Sequence, residues 1–490
     1  MAIPTKDPKA TKPNGRGINS NGKSKTQRQF VADAFRESIA TVDQQGKRNW
    51  IYPKKPKGQL HNYRVIVAVL CLGIMFLGPF LKWEGQPMFL FNLFERKFII
   101  FGVTFWPQDF HLFVLAMITF FVFIVLFTVI FGRLWCGWAC PQTIFMEMVF
   151  RKIEYLIEGD AAKQRKLNKA PWNAEKIQKK ALKWTIFAAI SFLIGNTVMA
   201  YLVGVDELSK MVTEGPFNHM GKFTGTIVFS SIFFFVFAWF REQACIVLCP
   251  YGRLQGVLLD NDSINVAYDY VRGEPRGKMR RGQTDEKKGD CIDCKLCVQV
   301  CPTGIDIRNG TQMECVNCTA CIDACDEVMD KIQKPRGLVR FASDNNIKNK
   351  EKFKFTPRII AYSVVLTFLV GVLGFLLVSR SDVETTILRT PGQLFQRAEN
   401  GNITNLYNVQ VVNKTINEYP IEFKVIYPEN ATIRLIGKDM FLKKQNIAKG
   451  TFFVEIPKKD LDGRKTKVVV EVWSRDHILD RTKTSFQGPN

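Results

Sequence analysis

The sequence predicts a multi-domain membrane protein: five transmembrane α-helices carry an inserted cysteine-rich α+β domain and a C-terminal all-β domain. Three observations predict this architecture: five apolar stretches of about membrane length, eight of the 13 cysteines within residues 291–325, and cysteine-free strand-like runs after residue 379. A hydrophobic content of 47% over 490 residues excludes a wholly disordered chain. The net charge of +23 fits nucleic acid or an anionic membrane surface. The apolar stretches favour the membrane, so we expect lipid and no nucleic acid as partner.

Residues 1–62 form a polar and basic segment, with 13 Lys and Arg against 4 Asp and Glu. No apolar core follows a short basic start, so we expect no cleavable signal peptide. This composition predicts a disordered cytosolic tail.

Residues 63–258 are expected to form a four-helix transmembrane core, and residues 359–378 a fifth transmembrane helix. Each span is about 20 apolar residues long, the length that crosses a bilayer, except the fourth, which is shorter. Four of the five are too long and too free of charge for buried helices of a soluble domain. The predicted spans are Tyr63–Leu81, Phe110–Phe131, Leu182–Gly204, Thr224–Phe240 and Ile359–Val378.

Charge asymmetry predicts the orientation of these spans, because Lys and Arg accumulate on the cytosolic side. Residues 1–62 carry nine more basic than acidic residues, and residues 151–181 carry five more. The alternate segments, 82–109 and 205–223, are close to neutral. We therefore expect the N-terminus and the cysteine-rich domain in the cytosol and residues 379–490 on the opposite side.

Residues 379–490 are expected to fold as an all-β, immunoglobulin-like sandwich. Runs rich in β-branched and aromatic residues alternate there with Asn, Gly, Pro and Lys clusters. The expected strands are Leu406–Val412, Ile421–Tyr427, Phe452–Ile456 and Lys467–Trp473.

Residues 259–358 contain the strongest motif of the chain, two cysteine runs with the spacing C-x2-C-x2-C-x3-C. Three thiolates two residues apart wrap one cubane, and the fourth cysteine of each run ligates the other cluster. The spacing therefore predicts a ferredoxin-like domain with two [4Fe–4S] clusters. Site A is predicted to consist of Cys291, Cys294, Cys297 and Cys325, and site B of Cys301, Cys315, Cys318 and Cys321.

A pair of zinc sites is the alternative for these eight cysteines. Tetrahedral zinc needs only four ligands, usually with longer gaps between pairs, so the spacing favours clusters. Asp326 follows the second run where a two-cluster ferredoxin would usually have proline, as Pro302 follows the first. We expect this change to leave ligation intact and to alter the shielding and potential of the cluster.

A second set of cysteines follows the second and fourth spans, each pair with the spacing C-x3-C-P. Phe131 and Phe240 each precede the first cysteine by five residues, which indicates a duplicated two-helix unit. Residues i and i+4 share one helix face, so each pair suits a soft metal. Copper(I), a third cluster, a redox dithiol and plain buried thiols remain open. These candidate catalytic residues, the membrane cysteines, are Cys136, Cys140, Cys245 and Cys249; Cys71 stands alone and is expected to pack in the first span.

The sequence contains no binding motif for haem b, flavin or a nicotinamide cofactor. The four histidines cannot form facing haem b pairs, and neither a G-x-G-x-x-G run nor a P-loop is present. Electrons must therefore come from a partner or from quinol, and the sequence leaves the donor unknown.

Taken together, these motifs resemble the FixG/RdxA family, the cytochrome c oxidase accessory proteins also called CcoG. The likeness spans about residues 47–490, and the combination of motifs is far more specific than the ferredoxin spacing alone. The runs that carry it are Phe101–Asp109, Gly132–Gln142, Cys249–Arg253, Cys301–Arg308 and Cys321–Met329.

The resemblance implies a bacterial inner-membrane protein that helps to mature cbb(3)-type cytochrome c oxidase. It implies reduction of Cu(II) to Cu(I), so that the oxidase or its copper chaperones receive copper, with copper as a possible second metal beside the clusters. A looser resemblance to membrane ferredoxins of nitrate and nitrous-oxide reductases implies a quinol-linked relay. A non-catalytic assembly scaffold is the third expectation.

Overall fold

The computed structural model describes residues 41–42, 45, 47–83, 85–94, 96–278, 288–352, 354–392, 394–398, 401–437, 440–475 and 477–489. The first 40 residues of the expected basic tail therefore lie outside the described residues. Five helices are long and apolar enough to cross a membrane, as the sequence predicts. The helices are α1 (Gln59–Leu77), α2 (Phe110–Phe131), α3 (Leu134–Trp138), α4 (Pro141–Thr143), α5 (Arg151–Ile157), α6 (Ala161–Lys169), α7 (Ala174–Val203), α8 (Val205–Glu214), α9 (Met220–Phe235), α10 (Pro250–Leu258), α11 (Tyr270–Gly273), α12 (Leu296–Gln299), α13 (Ala320–Lys331), α14 (Asp344–Asn349) and α15 (Pro357–Val378).

Three π-helical stretches extend these helices: Ile144–Phe150 joins α4 to α5, Val236–Phe240 continues α9, and Ala244–Leu248 precedes α10. Lys82–Trp83 pairs with Gln86–Pro87 in a two-stranded ribbon. The other strands are β1 (Phe89–Asn92), β2 (Lys97–Ile100), β3 (Val103–Phe105), β4 (Asn265–Tyr268), β5 (Val339–Ala342), β6 (Val383–Arg389), β7 (Gln396–Arg397), β8 (Ile403–Asn413), β9 (Tyr419–Tyr427), β10 (Thr432–Ile436), β11 (Met440–Leu442), β12 (Ile447–Ile456), β13 (Lys465–Ser474) and β14 (His477–Gln487).

Two spans are longer than their apolar runs. Helix α7 begins eight residues before the predicted span, where the Asn173 side chain accepts the Lys176 backbone N–H at 2.9 Å and caps the helix. The fourth span extends back to Pro216 instead of beginning at Thr224. Lys222 lowers the hydropathy of this added turn, but it pairs with Glu207 of α8 at 2.9 Å, so the helix continues.

The helices pack around an aromatic core. Helix α7 packs on α9, and α15 packs on α2. Phe150 lies between α7 and the end of the fourth span. Its ring centroid is 4.7 Å from that of Phe187 and 4.7 Å from that of Phe237. Because Phe150 sits on the π-helical stretch that joins α4 to α5, this core fixes the segment that follows the first pair of membrane cysteines.

The C-terminal domain is the all-β sandwich that the sequence predicts. One antiparallel sheet has the order β10-β12-β8-β6, with β7 also paired to β8, and the other has the order β11-β9-β13-β14. Side chains from both inner faces, among them Tyr407, Phe452, Val470 and Phe486, are fully buried between them.

The sandwich and the cysteine-rich domain lie at opposite ends of the helices. Asp109, at the start of α2, pairs with Arg380 at 2.6 Å and with Lys414 of the sandwich at 2.8 Å. At the other end, Asp323 of α13 accepts the backbone N–H groups of Leu60 and His61, the first turn of α1, at 3.2 and 2.8 Å. Each soluble domain is thus joined to the bundle by buried or half-buried polar contacts.

Residues 47–58 of the basic segment pack against the folded part of the chain. The backbone N–H of Lys54 donates to the carbonyl of Gln299 at 2.7 Å, and the Tyr155 hydroxyl donates to the carbonyl of Pro53 at 3.1 Å. The expectation of disorder is therefore wrong for residues 47–58. Aromatic and proline residues in this stretch give it apolar surface to bury, which the lysine-rich composition conceals.

Candidate metal centres

The cysteines of site A surround one cavity in the cysteine-rich domain. Cys291, Cys294, Cys297 and Cys325 line it, together with Tyr268 and other side chains. Cys294 is exposed, whereas Cys291 and Cys297 are buried. Site A is thus the part of this domain where solvent reaches a cysteine side chain most directly.

The cysteines of site B line a neighbouring cavity. Its wall contains Cys301, Cys315, Cys318 and Cys321, and Cys297 of site A borders it too. The structure therefore brings together the two groups of four that crossed ligation requires, each completed by the fourth cysteine of the other run.

Both cysteine runs wrap their cavities with the same backbone conformation. Asp293 and Asn317 lie at matching positions with φ of 54° and 53°, and Lys295 and Thr319 follow with φ of 59° and 64°. Left-handed residues at these places turn the chain tightly, so that successive cysteines face the same cavity. Short helices, α12 and α13, then carry the third cysteine of each run.

The donor set of each cavity fits a cluster and not a single ion. Among the described residues, no three His, Cys, Asp or Glu side chains are placed to hold one metal ion. A cubane binds each thiolate on a different iron, so its ligands surround a volume and do not converge on a point. Burial raises the pKa of Cys297, Cys315 and Cys325 to about 12, and only a bound cation would keep such thiols deprotonated at neutral pH. When bound, each cluster supplies one-electron chemistry.

Asp326 has a structural role at the position where proline was expected. Its carboxylate accepts the backbone N–H of Gly337 at 2.9 Å, which ties the end of the second cysteine run to the turn before β5. On the first run, Arg308 pairs with Asp306 at 2.6 Å and also with Asp293. These contacts hold the loops around site A.

The two C-x3-C-P segments are conformational copies of each other, as the sequence repeat predicts. After Phe131 the chain turns at Gly132 with φ 56° and ψ −133°, and after Phe240 it turns at Arg241 with φ 55° and ψ −126°. Cys140 and Cys249 then both adopt extended backbone before the proline that starts the next helix. Proline suits the first position of that helix, because a backbone N–H there would have no partner and proline has none.

The structure brings the membrane cysteines close to one another. The pKa of Cys245 is raised to about 12, mainly by burial and also by the nearby thiolates of Cys140 and Cys136. Burial likewise raises the pKa of Cys136, with Cys140 and Cys249 adding to the effect. Cys71 is apart from this group and packs with Ala68 in α1, as expected.

The first cysteine pair packs directly against site B. Cys136 belongs to the same buried apolar cluster as Cys318, Val316 and Ala320. Gly137 makes this approach possible, because a Cβ there would overlap the carbonyl oxygen of Val316. The Trp138 indole N–H also donates to the Asn317 carbonyl at 3.3 Å. Site B therefore lies between site A and the membrane cysteines.

Arg133 is a buried cation at this junction that the sequence reasoning missed. It is 4% exposed, and it donates to the Gln255 side chain at 3.1 Å and to the Met313 carbonyl. The Cys136 thiol donates to the same Gln255 oxygen at 3.0 Å. Its place two residues after the end of α2, inside the repeated segment, is the only sequence signal for it.

A buried charge network beside Cys245 was also missed. Arg241 forms two hydrogen bonds of 2.8 Å to Glu154, and Lys183 and Arg151 extend the network. A cavity next to it is lined by side chains that include Gln142, Glu147, Glu242, Cys245 and Thr303. These charged residues come from α5, α7 and the end of the fourth span, so no local sequence pattern predicts that they meet.

Comparisons with known proteins agree with this geometry. The family described as a 4Fe-4S dicluster domain matches residues 240–344, and the family described as a 4Fe-4S binding domain matches residues 113–158. The Ig-like fold at the C-terminal of FixG matches residues 373–489.

Full-length relatives extend the match. Protein RdxA of Cereibacter sphaeroides is 36% identical over 381 residues, which cover 75% of this chain and 80% of the relative. Protein RdxB of the same organism is 35% identical, with 75% and 80% covered. Nitrogen fixation protein FixG of Rhizobium meliloti is 32% identical over 439 residues, 80% of this chain and 82% of the relative. The chain is a multi-pass membrane iron–sulfur electron-transfer protein and belongs to the FixG/RdxA family.

Proposed function

We propose that the chain takes electrons at site A, passes them through site B, and reduces Cu(II) to Cu(I) beside the membrane cysteines. The packing of Cys136 against Cys318 carries this proposal, because it continues the line of cysteines from the exposed Cys294 towards the membrane. The side chains between site B and the cysteine pairs exclude water, and Gly137 keeps the two backbones in contact.

The electron balance is simple. A low-potential one-electron donor reduces the chain by one electron, and one Cu(II) substrate takes that electron and becomes Cu(I). Each Cu(I) formed therefore requires one electron and no proton.

The recipient of the copper is proposed to be a cbb(3)-type cytochrome c oxidase or one of its copper chaperones. The bias of basic residues supports an arrangement with sites A and B in the cytosol and the sandwich outside the bacterial inner membrane. In that arrangement the sandwich faces a periplasmic partner, and a cytosolic donor has access to Cys294.

The test uses the full chain, reduced anaerobically and freed of excess reductant. Cu(II) is added in the presence of a Cu(I)-specific chelator, and cluster absorption is followed together with the chelate. We expect one Cu(I) for each electron that the clusters lose. Unchanged cluster spectra after Cu(II) addition would contradict the proposal.

A quinol-linked relay is a second candidate, favoured by the cavity beside Cys245. Quinol oxidation releases protons, and Glu147 and Glu242 line this cavity as carboxylates that can accept them. If this function holds, a quinol analogue added anaerobically reduces the clusters, and Glu147→Gln slows that reduction. If neither quinol nor quinone alters the cluster spectra, the candidate is excluded.

A further inference from the structure

The membrane cysteines have the organisation of one ligand set. Each pair stands after a left-handed turn, begins with a cysteine in a short helical stretch, and ends at a cysteine in extended backbone. Helix α10, which begins directly after Cys249, connects the two pairs. A Cβ at Gly252 would lie 2.9 Å from both the Cys245 carbonyl and Arg133, and Gln255 of the same helix contacts Cys136.

Arg133 is the second observation that points to a ligand. None of the ion pairs among the described residues includes it, and its hydrogen-bond partners Gln255 and Met313 are neutral acceptors. A buried guanidinium without a counter-charge is costly. The groups near enough to supply negative charge are the cysteines of two centres. Arg133 and Cys136 hydrogen-bond the same Gln255 oxygen, and the Met313 carbonyl that Arg133 contacts lies two residues before Cys315. The position therefore fits a cation between two anionic metal–thiolate centres.

We propose that Cys136, Cys140, Cys245 and Cys249 ligate a third [4Fe–4S] cluster, with Arg133 as the positive charge between it and site B. The inference rests on the proposed function only in placing this centre next in the electron path. Copper is then a substrate that receives an electron from this centre, and it is not a metal ion that these thiolates bind.

The family match favours a cluster over a single copper ion. The matched 4Fe-4S binding segment, residues 113–158, contains only Cys136 and Cys140 as cysteines. A four-thiolate cluster there needs two more ligands, and the copy of the motif at Cys245 and Cys249 supplies them.

Iron and acid-labile sulfide content of the anaerobically purified full chain test the proposal. We expect about twelve irons per chain, against about eight for two cubanes. Cys136→Ser and, separately, Cys249→Ser should each lose about four irons and keep the electron paramagnetic resonance signals of two reduced clusters. Cys71→Ser is the matched control and should retain all of the iron.

The proposal is overturned if the wild-type chain holds about eight irons, or if copper, and not iron, leaves with the Cys136→Ser substitution. Neither result depends on copper reduction, so the third cluster and the proposed function fail separately. Retained signals from sites A and B in the serine variants show that the protein has folded.

Arg133 gives an independent readout. Arg133→Gln removes the positive charge that stabilises the reduced, more negative form of both adjacent centres, so their midpoint potentials should fall. Arg133→Lys keeps the charge and should restore much of the potential. Potentials that are the same in wild type and Arg133→Gln, measured by spectroelectrochemistry on the full chain, would overturn the assignment of Arg133.

Discussion

Arg241 and Glu154 meet face to face, with both terminal nitrogens of the guanidinium 2.8 Å from the two carboxylate oxygens, and both side chains are almost fully buried. Arg241 occupies the left-handed turn at the end of the fourth span, one residue before Glu242 and four before Cys245. This pair therefore anchors the second cysteine segment to α5.

Breaking the Arg241–Glu154 pair should strongly destabilise the protein. Glu154→Gln removes the carboxylate that accepts two hydrogen bonds from Arg241 and leaves the buried guanidinium only its longer pair with Glu242 at 3.6 Å; breaking such a buried pair costs about 3–5 kcal/mol. We expect a clear fall in the thermal unfolding midpoint of the detergent-solubilised chain. Glu175→Gln, which breaks the exposed Lys179 pair, is the control and should leave the midpoint unchanged. Equal midpoints for the two variants would contradict the anchoring role.

Adding one methyl group at Gly137 should separate the membrane cysteines from site B. Gly137→Ala forces its Cβ into the Val316 carbonyl, so the two backbones must move apart, at about 1–3 kcal/mol of stability. We expect iron at sites A and B to be retained and electron transfer beyond site B to slow. Gly371→Ala in α15 meets no atom within 4 Å and serves as the control. The contact is not part of the path if stopped-flow reoxidation is equally fast in both variants.

How far the sequence determines these features depends on how local they are. The cysteine groups of sites A and B could be predicted because ligand spacing along a short loop dictates which sulfurs meet. The five spans follow from apolar length alone. Arg133 and Glu154 could not be predicted in their roles, because their partners Gln255 and Arg241 are distant in sequence and meet them only after the helices pack.

Secondary structure outside the spans was predicted less completely. Segments 82–109 and 205–223, described only by their charge, contain the sheet β1–β3 and the amphipathic helix α8. In the sandwich, the four expected strands are present as β8, β9, β12 and β13, all longer than predicted. The sequence analysis missed the sandwich strands β6, β7, β10, β11 and β14. In β6 the inward positions are Val383, Thr385 and Ile387, and the polar Thr385 interrupts the apolar pattern.

Removing the iron should unfold the cysteine-rich domain and spare the sandwich. Cys291 and Cys297 share a buried cluster with Val266, Ile322 and Met329, so emptying the sites leaves that core without its centre. The sandwich has a separate core and no cysteine. Hydrogen exchange after oxidative iron removal should increase in residues 288–349 and stay low in β8 and β13. Unchanged protection of the cysteine-rich domain would argue against bound clusters.

Neutralising Asp109 should loosen the sandwich from the membrane helices. Asp109 is 3% exposed and pairs with both Arg380 and Lys414. Asp109→Asn leaves Arg380 without this carboxylate, while Lys414 keeps its pair with Glu384, and breaking such a buried pair costs about 3–5 kcal/mol. Limited proteolysis should then cut faster near residue 380. Asp206→Asn, which breaks the exposed pair with Lys82, is the control, and the protease should cut this variant at the wild-type rate. Wild-type resistance in Asp109→Asn would show that other contacts hold the domain.

The most direct test of the account is the rate at which Cu(II) reoxidises the reduced clusters in wild type, Cys136→Ser, Cys245→Ser and the double variant. Because the four membrane cysteines act as one unit, either single substitution should slow the reaction at least tenfold, and the double variant should be no slower than either single. Cys71→Ser should react like wild type, and iron at sites A and B should be intact in all variants. Wild-type rates in either single variant would show that these cysteines are ordinary buried thiols and that electrons leave the protein elsewhere.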